Sequence, residues 1–393
     1  YSTSASPTTT TCTQQFVKLA AMRVHVVKIN GDRVVTIDAE PSQTVHEAMQ
    51  QVHLHLDRSA IVKCDLLLGT AVLCGDTKLG DAGLCDDSLL TAVTWPAKLI
   101  ATTSADGSAK LWDATSGESL QTLRGHGDYV RSASFSPDGT QVVTASDDRT
   151  AIVWDTASGR GARMLQGHGD CLRSVAFAPD GLHVLTASLD RTARLWHVAS
   201  GSCVRTFIGH GSFVRSAAFS PDGSKIVTAS RDRSAKIWDV ASGECIRTLS
   251  SHGKSIHSAA FSPDGLLVIM AIDDGSAKVL DIASGQCMQT LKGHEDAVCS
   301  AAFSPDGSYI TTASDDCTAK VWDAALGWCL QTLRGHSDHL RSAAFSPDST
   351  QIITTSRDGT AKIWDRACGT CVQTLLGHDG SVLSAAFSPS CAA

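Results

Sequence analysis

One histidine recurs along this chain at a fixed step of 42 residues, and that step limits the possible folds more than any other feature. His126, His168, His210, His252, His294, His336 and His378 keep it without a slip. Phe135, Phe177, Phe219, Phe261, Phe303, Phe345 and Phe387 keep it too, as do Pro137, Pro179, Pro221, Pro263, Pro305, Pro347 and Pro389. Trp112, Trp154, Trp196, Trp238, Trp322 and Trp364 follow, with Leu280 in the gap. A shared period of this length marks a repeat architecture, in which each unit hides its apolar face only against its neighbours.

Within a unit the signals are those of short strands. Residues 129–135 alternate and end at the tight turn Ser136-Pro137-Asp138-Gly139. Residues 141–146 are rich in Val and Thr, Asp147-Asp148-Arg149 makes a turn, and 151–154 and 162–165 complete four strands. Four antiparallel strands that open near Gly-His and close near Trp-Asp resemble the WD-repeat (WD40) signature. Residues 98–389 are therefore expected to form a mainly β, seven-bladed propeller.

The recurring polar residues have a packing role in this reading. A buried His must have both ring nitrogens satisfied. The family resemblance implies a Trp-to-Ser-to-His-to-Asp chain in each blade: His126, Ser146, Asp148 and Trp154; His168, Ser188, Asp190 and Trp196; His210, Ser230, Asp232 and Trp238. The same set recurs as His294, Ser314, Asp316 and Trp322, and as His336, Ser356, Asp358 and Trp364. Repetition in every blade argues against a Ser-His-Asp hydrolase. Blade five carries His252, Ile272, Asp274 and Leu280, so its His is expected to rely on Asp274, and the blade to be the least tightly held.

Counting strands predicts how the ring closes. The strands at 99–104 and 109–112 have no inner strand before them, and residues 381–388 have no partners after them. Blade one is expected to combine both ends, with a split tetrad of His378, Ser104, Asp106 and Trp112. A rival scheme takes 89–95 as the inner strand and leaves 381–393 loose.

Residues 1–21 are Ser/Thr-rich at their start and are expected to be disordered. From Met22 to Trp95 the pattern is β-β-α-β-β-β, with Asn30-Gly31 as a hairpin turn and Thr44 with Glu47 as a helix capping box. This order, with Lys78-Leu79-Gly80-Asp81 and Asp87-Ser88-Leu89-Leu90, resembles the α+β ubiquitin-like β-grasp. The resemblance maps that family's exposed apolar patch onto Ile29, Leu67 and Val93. Thr91 and Ala71 depart from it where His and Lys are usual. Pro96 continues into the propeller without a terminal Gly-Gly, so the domain does not read as a conjugated modifier. The β-grasp uses residues 89–95, which argues against the rival closure.

The net charge of −7 is modest, and no stretch approaches eighteen apolar residues, the scale of a membrane span. The chain starts at Tyr1 without an initiator Met or a secretory pattern. Of fourteen cysteines, Cys203, Cys245, Cys287, Cys329 and Cys371 belong to the repeat register, so they read as reduced thiols of an intracellular protein, cytoplasmic or nuclear. The lone Cys368/Cys371 pair and the trio His46, His53 and His55 lack a completing metal set, so no metal or cofactor is expected.

A propeller exposes its inner-strand starts and its b–c turns on one face. The inner strands place Arg131, Arg173, Arg215, His257, Cys299, Arg341 and Leu383 there, and the turns add Arg149, Arg191, Arg231, Arg233 and Arg357. Arginine suits bidentate contact with carboxylate or phosphate, and Tyr129 and Phe213 supply aromatic area beside it. The competing reading pairs these arginines with Asp128, Asp147, Asp170 and Asp338. Interleaved Asp and the acidic total disfavour nucleic acid. The expectation is a non-catalytic adaptor, a single-chain propeller within a complex, binding other proteins or an acidic or phosphorylated peptide. The alternatives are a purely structural subunit, and a ubiquitin-pathway adaptor working through the β-grasp patch; the β-grasp favours a eukaryotic source.

Overall fold

Val, Ile, Ala and Thr fill the middle of every repeat and are buried on both faces of the sheet they form, whereas the outermost strand is mostly exposed. Blade two shows the pattern: strands a (Val130–Phe135), b (Gln141–Ser146), c (Thr150–Asp155) and d (Gly161–Gln166) pair antiparallel in that order. In strand d one side chain, Leu165, is buried. The core lies between blades. Val143, Ala151 and Val153 of blade two pack with Leu172, Phe177 and Trp196 of blade three. No blade can bury its apolar faces alone, which explains why the units must stack.

The computed structural model describes residues 22–28, 33–40, 42–53, 62–68, 71–73, 78–79, 81–82, 84, 88–96, 98–251 and 253–389. The expected disorder of 1–21, and the expectations for Ile29, His55 and His252, fall outside them. The chain divides into two compact units, residues 1–96 and 97–393.

In the second unit seven four-stranded sheets form the ring. The closing sheet joins strand a at Val382–Phe387 to b (Leu99–Ser104), c (Ser108–Asp113) and d (Ser119–Arg124). Val382 pairs with Ser104 and Phe387 with Ile100. Ser388 locks the seam, its amide donating to the Leu99 carbonyl and its hydroxyl accepting from the Leu99 amide, each at 2.8 Å. Pairing the two ends of the ring in one sheet removes two open edges.

The first unit holds β1 (Met22–Lys28), β2 (Arg33–Ala39), α1 (Val45–His53), β3 (Val62–Leu68), β4 (Ala71–Val72) and β5 (Ser88–Pro96). The sheet order is β2-β1-β5-β3-β4, with β1 and β5 parallel. Thr44 and Glu47 cap α1 reciprocally: the Glu47 amide donates to Thr44 Oγ1 at 3.3 Å, and the Thr44 amide donates to Glu47 Oε2 at 2.8 Å. Val24, Val26, Ile37, Val45, Leu66, Leu79 and Leu90 form its core. Among the described residues no helix is long and apolar enough to cross a membrane.

Candidate functional site

Each polar chain inside a blade runs through a threonine, not through the serine expected. In blade two the Trp154 indole N–H donates to Thr144 Oγ1 at 2.8 Å. The same hydroxyl lies 2.8 Å from His126 Nε2, and His126 Nδ1 lies 2.9 Å from Asp148 Oδ2. Burial favours the neutral imidazole, and then Thr144 donates to Nε2 and Nδ1–H donates to Asp148. Ser146 does something else: its hydroxyl donates to the Asp128 carbonyl and accepts from the Asp148 amide. The reason is register. Trp154 pairs with Val142, so its indole reaches diagonally to Thr144, two residues on, while Ser146 sits a further two residues away at the turn.

The same substitution of route holds for Ser188, Ser230, Ser314, Ser356 and Ser104, whose places in the chain are taken by Thr186, Thr228, Thr312, Thr354 and Thr102. In the closing blade His378 Nδ1 lies 3.0 Å from Asp106 Oδ2 and Nε2 lies 2.7 Å from Thr102 Oγ1, so the network spans both ends of the propeller. Burial alone would raise the Asp106 carboxyl, but hydrogen bonds from Ser108 and His378 hold it at about 2. The same contacts orient each Asp around its turn: Asp190 accepts from His168, Thr192 and the Gly169 amide. These hydroxyls are buried and doubly engaged, which is a packing arrangement.

Blade five replaces the network with hydrocarbon. Met270 stands where the other blades have Thr, and Met270, Ile272 and Leu280 are all buried in one cluster. Asp274 accepts from the Ser276 amide and hydroxyl.

On the face bearing the b–c turns, arginines converge on a cavity of about 420 Å³. Arg131, Arg173, Arg215, Arg231, Arg341 and Arg357 line it, with Phe213, His257, Cys299, Leu189 and Leu383. Asp147 answers two of them: Arg131 Nη2 lies 2.5 Å from Oδ2, and Arg173 Nη1 lies 3.5 Å from Oδ1. Asp315 answers Arg341 at 3.4 Å. Arg215 instead donates to His257 Nδ1 at 2.6 Å, and His257 Nε2 donates to Asp273 at 2.9 Å. Arg231 lies over the Phe213 ring at 5.8 Å, and Arg131 over Tyr129 at 5.1 Å. Among the described residues Arg231 and Arg357 have no ion-pair partner within 4.0 Å.

The local environment marks the inner arginines as unusual. Burial lowers the Arg173 pKa, and the neighbouring Arg131 charge adds to it. Burial likewise lowers Arg215 and His257. Cys299 is pushed up to about 12 by burial and by Asp315, so its thiol stays protonated. Arg149, Arg191 and Arg233 occupy the left-handed position of their turns, with φ of 72°, 73° and 72°. For a residue with a Cβ this costs on the order of 1 kcal/mol. Of the acidic residues expected to neutralise the face, Asp128 and Asp170 accept from the next amide in sequence, and Asp338 lies 3.8 Å from His339. Asp147 alone of the four meets the arginines.

The family model described as WD domain, G-beta repeat matches residues 117–155, 159–197, 201–239, 243–281, 285–323, 327–365 and 369–392. The chain belongs to the WD-repeat family. WD-repeat propellers generally bind other proteins and act as scaffolds rather than catalysts. Among curated relatives, a nuclear distribution protein PAC1-2 of Postia placenta is 43% identical over 51 residues, 13% of this chain and 12% of its own length. A nuclear distribution protein PAC1 of Mycosarcoma maydis is 41% identical over 46 residues, 12% of this chain and 10% of its own length. The chain thus matches about a tenth of the length of these relatives, a little more than one WD repeat.

Elsewhere the expected residues are placed as follows. Leu67 is half-buried on β3 and pairs with Thr91; Val93 lies on β5 opposite Asp65. His46 pairs with Gln50 at 3.2 Å. Cys203, Cys245, Cys287, Cys329 and Cys371 are free thiols at the starts of the outermost WD-repeat strands. Sequence reasoning missed the bridging threonines and the Arg215–His257 pair. The threonines were detectable: Thr gives way to Met270 in the same blade where Trp gives way to Leu280.

Proposed function

We propose that the propeller is a non-catalytic scaffold that takes a partner protein, through an acidic or phosphorylated segment, on its arginine-bearing face. The observation that carries this is the cavity into which six arginines converge, with Asp147, Asp170, Asp273 and Asp315 as the carboxylates that act on them among the described residues. Partly desolvated guanidinium groups are suited to bidentate contact with an anionic side chain, and Phe213 and Tyr129 add the aromatic area typical of an interaction hot spot. The role assigns the partner contacts to Arg131, Arg173, Arg215 and Arg341 around the cavity, with Arg149, Arg191 and Arg233 at the turns. The test is affinity capture with the wild-type chain and with Arg131, Arg173 and Arg215 changed to Glu. Loss of the captured partner is expected; equal recovery would remove this face from the function.

For residues 22–95 we infer a ubiquitin-like β-grasp. The sheet order β2-β1-β5-β3-β4 with parallel central strands, and a capped helix after the first hairpin, support that reading. Ile29, Leu67 and Val93 remain its proposed contact residues.

A further inference from the structure

Three consecutive b–c turns hold an arginine where the backbone favours glycine. Gly107, Gly275 and Gly359 occupy this register position in blades one, five and seven, also at positive φ, and Cys317 takes it in blade six. In blades two, three and four it is Arg149, Arg191 and Arg233. All three are exposed, and among the described residues none has a side-chain hydrogen bond or ion pair. A long side chain in a left-handed turn is a choice the fold resists. Here it recurs in adjacent blades and delivers one unspent cation per blade.

We infer that this outer arc is a track for an extended acidic polypeptide segment, several carboxylates long, laid across blades two to four. The inference rests on the reading of the face given above and deepens it from a point contact at the cavity to a linear one. Two observations favour a polypeptide. First, the cations come singly, one per turn, with Asp128 and Asp170 between them in the repeat; an extended polypeptide can turn alternate side chains away from those carboxylates, whereas a phosphodiester backbone carries its charge at every step. Second, single-stranded nucleic acid is held by a run of aromatic platforms, and this arc interrupts one: Tyr129 and Phe213 flank Cys171 at the same position in blade three. The arc also has an edge. Beyond blade four the same turn position loses its cation, with Gly275, Cys317 and Gly359, and Asp273 stands where blade four has Arg231, so the attraction for an acidic segment ends there.

The test uses the full chain and a fluorescein-labelled polyglutamate of about twenty residues, with an oligothymidylate of equal length alongside. Arg149→Gly, Arg191→Gly and Arg233→Gly together restore the residue found in three other blades. The melting temperature should therefore move by less than about 3 °C. Polyglutamate affinity should fall about tenfold or more. Unchanged polyglutamate affinity overturns the track. If the Glu variants of Arg131, Arg173 and Arg215 still lose the captured partner in that case, the face keeps its role and only the linear extension fails. Tighter binding of oligothymidylate than of polyglutamate, weakened by the same three changes, also overturns it in favour of nucleic acid.

Discussion

Blades four and five share every strand boundary one repeat apart, yet they are filled and faced differently. In blade four, strand b (Lys225–Ser230) and strand c (Ser234–Asp239) enclose Thr228 and Trp238, which join His210 and Asp232 in a hydrogen-bonded chain. In blade five, strand b (Leu267–Ile272) and strand c (Ser276–Asp281) enclose Met270 and Leu280. A third change goes with these two. Gly209 precedes the blade-four histidine because a Cβ there would stand 3.1 Å from Trp238 Cη2; blade five has Ser251 at that place, where the smaller Leu280 has taken the indole's. On the face, Arg215, Arg231 and Arg233 become His257, Asp273 and Gly275. The lesson is that strand pairing and interblade packing set the backbone. The polar network and the face charges vary on top of it.

The largest test of that separation is truncation. Trp238→Ala should destabilise the chain by about 4 kcal/mol, through a cavity and the lost indole hydrogen bond to Thr228, and Leu280→Ala by about 3 kcal/mol, both read by chemical denaturation. A smaller loss for Trp238 than for Leu280 would break the comparison. Next, Thr228→Val leaves the Trp238 N–H and His210 Nε2 without their buried partner and should cost about 2 kcal/mol. Met270→Thr buries a hydroxyl with no indole to serve and should cost a similar amount, about 2 kcal/mol. Adding Leu280→Trp and Ser251→Gly should recover most of it, because the three positions are coupled.

Acid gives a subtler contrast. Burial pushes the His126, His210, His294, His336 and His378 imidazoles below the ordinary 6.5, against the pull of their aspartates. The unfolded chain therefore takes up protons first. Stability is complete above about 6.5 and drains away as pH falls through the depressed values. Melting temperature should decline on acidification in that window. A chain whose blade four carries His210→Leu, Thr228→Met and Trp238→Leu should decline less steeply. The smallest effect is Arg233→Gly, where relief of strain and added unfolded-state freedom nearly cancel, leaving a change within about 0.5 kcal/mol.

Much of this was legible in the sequence because the repeat reports its own variation. The step of 42 gave blade number and strand order, and the unpaired first and last segments gave the closure that Val382 and Ser104 make. The hydroxyl relay was misread because Thr144 and Ser146 share one face of a strand, and period alone does not say which one a diagonal indole reaches. The face was legible as a set of positions but not as a set of bonds. Arg215 meets a side chain 42 residues away, across a blade boundary, and Asp147 serves arginines of two blades. Such contacts depend on ring geometry, which no local pattern encodes.

On the proposed track, blades two to four, and not blades five and six, receive the acidic partner. Amide hydrogen exchange of the full chain with and without polyglutamate measures it directly. Added protection should fall on the turns at 147–149, 189–191 and 231–233 and spare those at 273–275 and 315–317. Protection spread evenly over all of these turns, or concentrated on the last two, would contradict it.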